Sequence, residues 1–272
     1  MKNKEGKKIE LNKIYCEDCL ETMKRMPDNS VDMTLTSPPY DNLRDYKGYT
    51  FDFESIAKEL FRITKQGGVV VWVVGDMVVD KSETGTAFKQ ALFFKEIGFL
   101  LHDTMIYKKR GSPFPESNRY WQQFEYMFIF SKGSPKTTNL LKIKTQYAPE
   151  QIGKPRSSAI RNKDGLMEAM KYEVNKEFVT KGNVWEYAVG FMKSSKDKYS
   201  FEHPATYPED LASDQIKSWS NEGDIVYDPM IGSGTTGKMA VMLKRNYIGS
   251  EISSDYTKLA EDRIKSISNT LF

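Results

Sequence analysis

Six consecutive residues, Val69-Val70-Val71-Trp72-Val73-Val74, are all β-branched or aromatic, and this run restricts the fold more than any other stretch of the chain. Side chains alternate between the two faces of a strand, so a strand that is apolar on both faces has to be covered on both. Such a run belongs at the centre of a largely parallel sheet with helices on either side. The flanking pattern agrees. Residues 31–36 form a second apolar run, and Asp52 stands where it can cap a helix whose buried positions are Phe53, Ile56, Leu60 and Ile63. Lys65-Gln66-Gly67-Gly68 is predicted to end that helix through a left-handed glycine, completing a β-α-β unit.

The same alternation recurs along the chain. Residues 12–15 read as a short strand, and Leu20, Met23 and Met26 as one face of a short helix. Ala87, Ala91, Leu92, Phe94 and Ile97 support another helix before strands at 100–107 and 126–130. A helix at 209–219, a strand at 224–227, a helix at 238–244, a strand at 247–252 and a helix from Ser254 make up the last third. Between 131 and 200 the periodicity lapses, although Val184, Trp185, Tyr187, Val189 and Phe191 give that segment something to pack, and 167–178 is predicted to be helical. The polar stretch 41–46 suits a loop over a site. The connection at 108–115, with Lys108, Lys109 and Arg110, has the basic and aromatic content of a substrate contact.

A chain of 272 residues, 39% hydrophobic and 28% charged, can bury one substantial core with a modest inserted lobe. No apolar run is long enough to span a membrane, and the first ten residues lack the apolar region of a signal peptide, so a cytoplasmic location is the expectation. Cys16 and Cys19 form a C-x-x-C pair around Glu17 and Asp18, whose charges raise a thiol pKa. With only His102 and His203 as further soft ligands, two free thiols are expected and no metal. The net charge is +3, but residues 131–200 hold fourteen Lys and Arg against seven Asp and Glu, which leaves the remainder at −4. A basic segment on a near-neutral body points to a polyanionic partner.

Two loops carry the chemistry. In Thr36-Ser37-Pro38-Pro39-Tyr40, prolines cut off a strand and leave a hydroxyl, backbone acceptors and an aromatic ring at its carboxyl end, where open α/β sheets place ligands. Oxygens to accept N–H groups and a ring to stack suit a planar amino-bearing base. Far downstream, Asp228-Pro229-Met230-Ile231-Gly232-Ser233-Gly234-Thr235-Thr236-Gly237 sits between a strand and a helix, with Glu251 ending the following strand in a position to take a ribose diol. Lys238 is followed by Met239, so this is no Walker A loop and an ATPase or kinase is disfavoured.

Together these motifs resemble those of amino-group DNA methyltransferases that use S-adenosylmethionine, in the permuted order that puts the catalytic region first and the cofactor region last. Ser37-Pro38-Pro39-Tyr40 is similar to the family's catalytic motif, and Asp228 to Thr235 to its cofactor loop, with Met230 where Phe is commonest. His203-Pro204-Ala205-Thr206-Tyr207-Pro208 resembles the element enclosing the methionine end, and Glu17-Asp18-Cys19 is a looser match to another family stretch.

The resemblance implies a single Rossmann-like α/β domain around a mostly parallel seven-stranded sheet with one reversed strand. Its catalytic half would occupy 9–130, an inserted basic DNA target-recognition segment 131–200, and the cofactor-binding half 201–272. It assigns catalysis to Ser37, Pro38, Pro39 and Tyr40, with the Ser37 hydroxyl and the Pro38 carbonyl accepting the hydrogens of the target amine and Tyr40 stacking on a flipped base. S-adenosylmethionine would be held by Asp18 at the adenine, Glu251 at the ribose, Asp228 at the methionine amino group and the amides of Gly232 and Gly234 at its carboxylate. Pro229, Thr235 and His203 would complete that site.

Ser at 37, where adenine-directed members usually carry Asp, resembles the cytosine-N4 group, with adenine-N6 as the alternative. Double-stranded DNA is the implied partner, phosphate contacts falling to Lys108–Arg110 and the basic segment and base reading to Arg156 and Arg161. Members are often dimers, so a homodimer and a separately encoded cognate restriction endonuclease are further expectations. A non-catalytic DNA-binding protein on a vestigial methyltransferase fold is a distant alternative, disfavoured by the intact loop at Asp228, Gly232, Gly234 and Glu251.

Overall fold

The computed structural model describes residues 1–2, 6, 8–39, 51–111, 118–156, 159–169, 173–190, 194–195 and 207–271. They form two compact units, Met1–Asn139 with Asn183–Phe272, and Leu140–Gly182. The larger unit begins with β1 (Lys13–Cys16), α1 (Cys19–Arg25), β2 (Val31–Thr36), α2 (Phe53–Ile63) and β3 (Thr64–Val74). A small hairpin of β4 (Val78–Val79) and β5 (Ser82–Glu83), then α3 (Thr86–Glu96), β6 (Leu100–Arg110) and β7 (Phe124–Ser131) follow.

The smaller unit carries six short strands, β8 (Lys142–Lys144), β9 (Pro155–Arg156), β10 (Ala159–Arg161), β11 (Met167–Ala169), β12 (Glu173–Val174) and β13 (Phe178–Thr180), paired as three antiparallel ribbons. The described residues of 167–178 are therefore strand or irregular, not the predicted helix. The cause lies in pairing and turn chemistry that periodicity does not register: β11 lies against β10, and between them Asn162 Oδ1 accepts the N–H groups of Asp164 (3.0 Å) and Leu166 (2.9 Å) while Gly165 takes φ +81°. None of the described residues of this unit is buried.

The chain then returns to the larger unit with β14 (Val184–Ala188), α4 (Glu209–Trp219), β15 (Ile225–Asp228), α5 (Thr235–Met242), β16 (Asn246–Glu251) and α6 (Ser254–Leu271). Its sheet runs β1-β16-β15-β2-β3-β7-β6-β14. All neighbours are parallel except those of β7, which is the single reversed strand. The sheet has eight strands, one more than expected. The addition, β14, comes from the lysine-rich stretch read as insert: Trp185 and Tyr187 turn inward, and the Tyr187 hydroxyl donates to Asp214 of α4 at 2.9 Å.

The central strand behaves as its composition demands. Val70, Trp72 and Val74 pack with α1, α2 and α3 in one core cluster, while Val69, Val71 and Val73 are buried on the opposite side. Trp72 lies edge-on to Phe94 at 5.1 Å, and its indole N–H donates to Gln90 Oε1 at 2.8 Å, so a large ring enters the core without an orphaned donor. Asp52 caps α2 by accepting the Ser55 N–H at 3.2 Å. That helix stops at Ile63, before the glycines predicted to end it, and Gly67 (φ +81°) and Gly68 form a bend within β3. No helix among the described residues is long and apolar enough to cross a membrane.

Candidate active site

Strand order brings the two loops together. Cys16 is in register with Glu251, Asp228 with Gly249, and Tyr227 with Thr34, so the carboxyl ends of β1, β16, β15 and β2 are neighbours on one edge. Adjacent strands are about 4.8 Å apart, which puts the ends of β16 and β2 about 10 Å from each other across β15. Asp18, Glu251, Asp228 and Ser37 thus share one rim, although 37 and 228 are remote in the chain. Thr236 Oγ1, on the first turn of α5, lies 3.3 Å from the Leu35 carbonyl oxygen, a direct tie between the glycine loop and the strand leading to Ser37.

Asp228 is 2% exposed and ends β15. Pro229 follows it, buried, and restricts Asp228 to an extended backbone. The carboxylate then accepts the Met230 N–H at 3.1 Å in an Asx turn, and the Thr236 hydroxyl donates to its other oxygen at 2.5 Å. The Tyr207 hydroxyl is bonded to that of Thr236 and stands 3.4 Å from the same carboxylate. Burial pushes the Asp228 carboxyl up to about 6, with the Thr236 and Met230 bonds holding it back and the charge of Glu251 adding to the rise. A buried anion held only by neutral donors is the complement of a cationic ligand group.

The glycine loop is organised differently from the expectation. The Gly232 N–H donates to Glu251 Oε2 at 3.0 Å, and the Gly234 N–H to the Ile231 carbonyl at 2.8 Å. Both amides predicted to hold a carboxylate are therefore engaged within the protein, one by the end of β16 and one by the loop itself. Glu251 also accepts the Ser253 N–H at 2.9 Å; burial raises its carboxyl while the backbone donors pull the other way. Gly234 has φ +83°, and a Cβ built there would meet Ala260 Cβ at 2.9 Å and Cα at 3.0 Å, so this glycine permits the close approach of α6. Gly234→Ala is expected to destabilise the fold by about 2–4 kcal/mol, combining left-handed backbone cost with overpacking. Gly223→Ala, equally left-handed at φ +86° but with nothing within 4 Å, should lose only about 1 kcal/mol. Chemical denaturation of the two variants measures that difference, and equal losses would mean that Ala260 yields.

The other predicted residues are placed as follows. Thr235 opens α5, and its Oγ1 accepts from Arg263 at 3.0 Å. Asp18 caps α1, accepting the Leu20 N–H at 2.7 Å. Ser37 and Pro39 are half-buried and Pro38 is buried, directly after β2. Tyr40, His203 and the loop 41–46 lie outside the described residues, as does the side chain of Arg156; Arg161 is exposed on β10. Lys108–Arg110 belong to β6 and not to a loop, and they face carboxylates: Lys108 and Arg110 pair with Glu186 at 2.8 and 3.4 Å, Lys109 with Glu125 at 2.5 Å. Their predicted place in a connecting loop is thereby corrected, because the partners sit on strands that periodicity could not align. Cys16 is exposed and Cys19 buried, both free, and the Cys19 thiol is pushed up to about 12 by burial first and Asp18 second.

Three residues escaped the sequence reading. Thr236 and Tyr207 lie inside motifs whose other members were singled out, so their positions carried a signal. Arg263, in the middle of α6, carried none.

Residues 31–262 match the family N6_N4_Mtase, described as DNA methylase. The chain is 55% identical over 242 residues to the orphan methyltransferase M.BamHII of Bacillus amyloliquefaciens, covering 88% of this chain and 90% of that one. Among solved structures, the cytosine-N4-specific PvuII DNA methyltransferase superposes with a TM-score of 0.67 at 19% identity, over 94% of this chain and 89% of its own. M1.HpyAVI, in its SAM complex, gives 0.60 at 21% identity, over 93% and 98%. At these identities the two structures bear on the fold.

Proposed function

We propose that this chain, which belongs to the N6/N4 DNA methylase family, transfers the methyl group of S-adenosylmethionine to the exocyclic N4 amine of cytosine in duplex DNA. The observation that carries the reading is the meeting of the Asp228 and Ser37 loops at adjacent strand ends, tied by Thr236 to Leu35. The residues fit the cofactor on chemical grounds: a buried carboxyl at Asp228 for its ammonium, Glu251 beside the loop for the ribose hydroxyls, and Asp18 one strand further out for the adenine amine. With the Gly232 and Gly234 amides engaged, the amino end of α5 attracts the cofactor carboxylate through its dipole. When bound, S-adenosylmethionine supplies a methyl group on a positively charged sulfur.

The amine of cytosine is a weak nucleophile because its lone pair is delocalised into the ring. Ser37 Oγ and the Pro38 carbonyl accept its two hydrogens, which favours the geometry in which the lone pair faces the methyl donor. After transfer the nitrogen is cationic and gives up one of its two hydrogens as a proton to solvent, since neither the neutral hydroxyl nor the carbonyl is basic enough to keep it. Tyr40 stacks on the base drawn out of the duplex. Alignment replaces a bimolecular encounter, and that supplies much of the acceleration. Serine at 37 is what favours cytosine over adenine. The unit Leu140–Gly182 takes the recognition role: it holds nine Lys and Arg against five Asp and Glu, and it exposes Tyr147 and Phe178 for contact with bases.

Incubation with labelled S-adenosylmethionine and duplex DNA, followed by digestion to nucleosides, is expected to yield N4-methylcytosine. N6-methyladenine in the digest would move the target to adenine and leave the mechanism standing. A protein that binds the cofactor and labels neither base would end the enzymatic reading.

A further inference from the structure

The roles assigned so far leave out Arg263, whose side chain is 2% exposed and whose guanidinium makes at least five hydrogen bonds. Nη1 donates to the Ser233 carbonyl at 2.8 Å, to Ser233 Oγ at 3.2 Å and to Thr235 Oγ1 at 3.0 Å. Nη2 donates to Ser195 Oγ at 3.1 Å and to Glu209 Oε1 at 2.5 Å. The first set flanks Gly234 on both sides. The second joins the two ends of the stretch 195–209, since Glu209 opens α4 directly after Pro208, and Ser195 itself donates to Glu209 at 2.6 Å. Lys238 of α5 reaches the same carboxylate at 2.8 Å.

A buried ion pair is a poor way to gain stability, because desolvation offsets most of the attraction and apolar packing commonly does as well. What a guanidinium offers that an apolar side chain cannot is a planar fork that fixes several acceptors in one orientation. Ala260, one turn earlier on α6, sets how near the helix comes to Gly234. Arg263 then sets how the peptide and hydroxyls on either side of that glycine are turned, and through Glu209 it links them to the start of α4, two residues past Tyr207, whose hydroxyl meets the Asp228 network.

We propose that Arg263 is a positioning residue for the cofactor, clamping the Ser233–Thr235 loop to Ser195 and to Glu209 at the start of α4 so that the loop keeps its binding shape. The inference rests on the reading that this loop binds S-adenosylmethionine. Arg263→Lys separates positioning from mere structure, because a lysine keeps a charge opposite Glu209 but cannot span acceptors on both sides of the loop.

For the variant, calorimetry with S-adenosylhomocysteine should show a Kd raised about tenfold or more, the scale of one lost hydrogen bond to a charged group. The KM for S-adenosylmethionine should rise in parallel, with kcat at saturating cofactor within about threefold and the KM for DNA unmoved. Ser195→Ala should raise the same Kd by less, and adding it to Arg263→Lys should cost little more, since both act through one network. A folded Arg263→Lys with wild-type Kd overturns the proposal, as does a fall in kcat with Kd unchanged. If Arg263→Lys does not fold, a Ser195→Ala protein with wild-type Kd overturns it alone. Failure of the wild-type protein to bind S-adenosylhomocysteine would instead sink the functional reading beneath it.

Discussion

Asp228→Asn is expected to melt later than the wild-type protein at neutral pH while binding S-adenosylmethionine about a hundredfold more weakly. The stability gain follows from the raised carboxyl, which moves from 3.8 to about 6 on folding. Below pH 4 the group is protonated in both the folded and unfolded chain and contributes nothing. Between 4 and 6 the unfolded chain has released its proton while the folded one still holds it, so folding loses stability as pH rises through that window. Above 6 the full cost stands, about 3 kcal/mol at 1.36 kcal/mol per unit. Asparagine has the shape without the charge, and the Thr236 hydroxyl can turn to accept from its amide while donating to the Leu35 carbonyl 3.3 Å away. The affinity loss has the opposite origin, since a buried carboxylate facing an ammonium is a charge-assisted pair that asparagine cannot make. Melts of both proteins without ligand should converge near pH 4 and separate by pH 7. Cofactor Kd should rise for the wild type as pH falls through about 6 and stay flat for the variant. A variant less stable than wild type at pH 7.5 would mean that the carboxylate is satisfied where it lies.

How much of this was legible in the sequence depended on the range over which each signal acts. The run at 69–74 dictated a strand covered on both faces, and Val69 to Val74 are buried on both. The loop at 228–237 was readable because a strand, closely spaced glycines and a helix fall within a few residues of one another. The adjacency of β15 to β2 was not in any spacing; it came only through resemblance, because no local pattern states which strands pair. Short strands in polar surroundings were lost for the same reason. In β14 only Trp185 and Tyr187 face inward, and the partner that makes them a strand is β6, some 80 residues earlier. The glycines illustrate a subtler limit. Gly234 was read for its amide, as a holder of the cofactor carboxylate, yet it makes room for Ala260, and that need exists only once α6 is in place. Arg263 is the extreme case: a single arginine in a polar helix reads as a solvated charge until its acceptors are assembled around it.

Ser37→Ala should give the reverse of the Asp228 result, a methylation rate about 10²–10³ lower with cofactor affinity within about twofold of wild type. Ser37 is half-buried just beyond β2, and the bonds that Asp228 accepts from the Thr236 hydroxyl and the Met230 N–H come from the glycine loop and α5, not from the Ser37 loop. Its removal leaves the cofactor side intact and takes away one of two acceptors for the amine, so the lone pair is no longer held toward the methyl donor. The Pro38 carbonyl remains, fixed by the proline ring and by burial, which is why the expected loss is partial. Single-turnover methylation at saturating DNA, set beside calorimetry with S-adenosylhomocysteine, separates the two quantities. Because the loops meet on one rim but act on different partners, the two variants should move rate and affinity independently. If Ser37→Ala instead lost cofactor affinity as heavily as Asp228→Asn, the Ser37 loop would belong to the cofactor side of the rim, and the amine would have to be held by other oxygens.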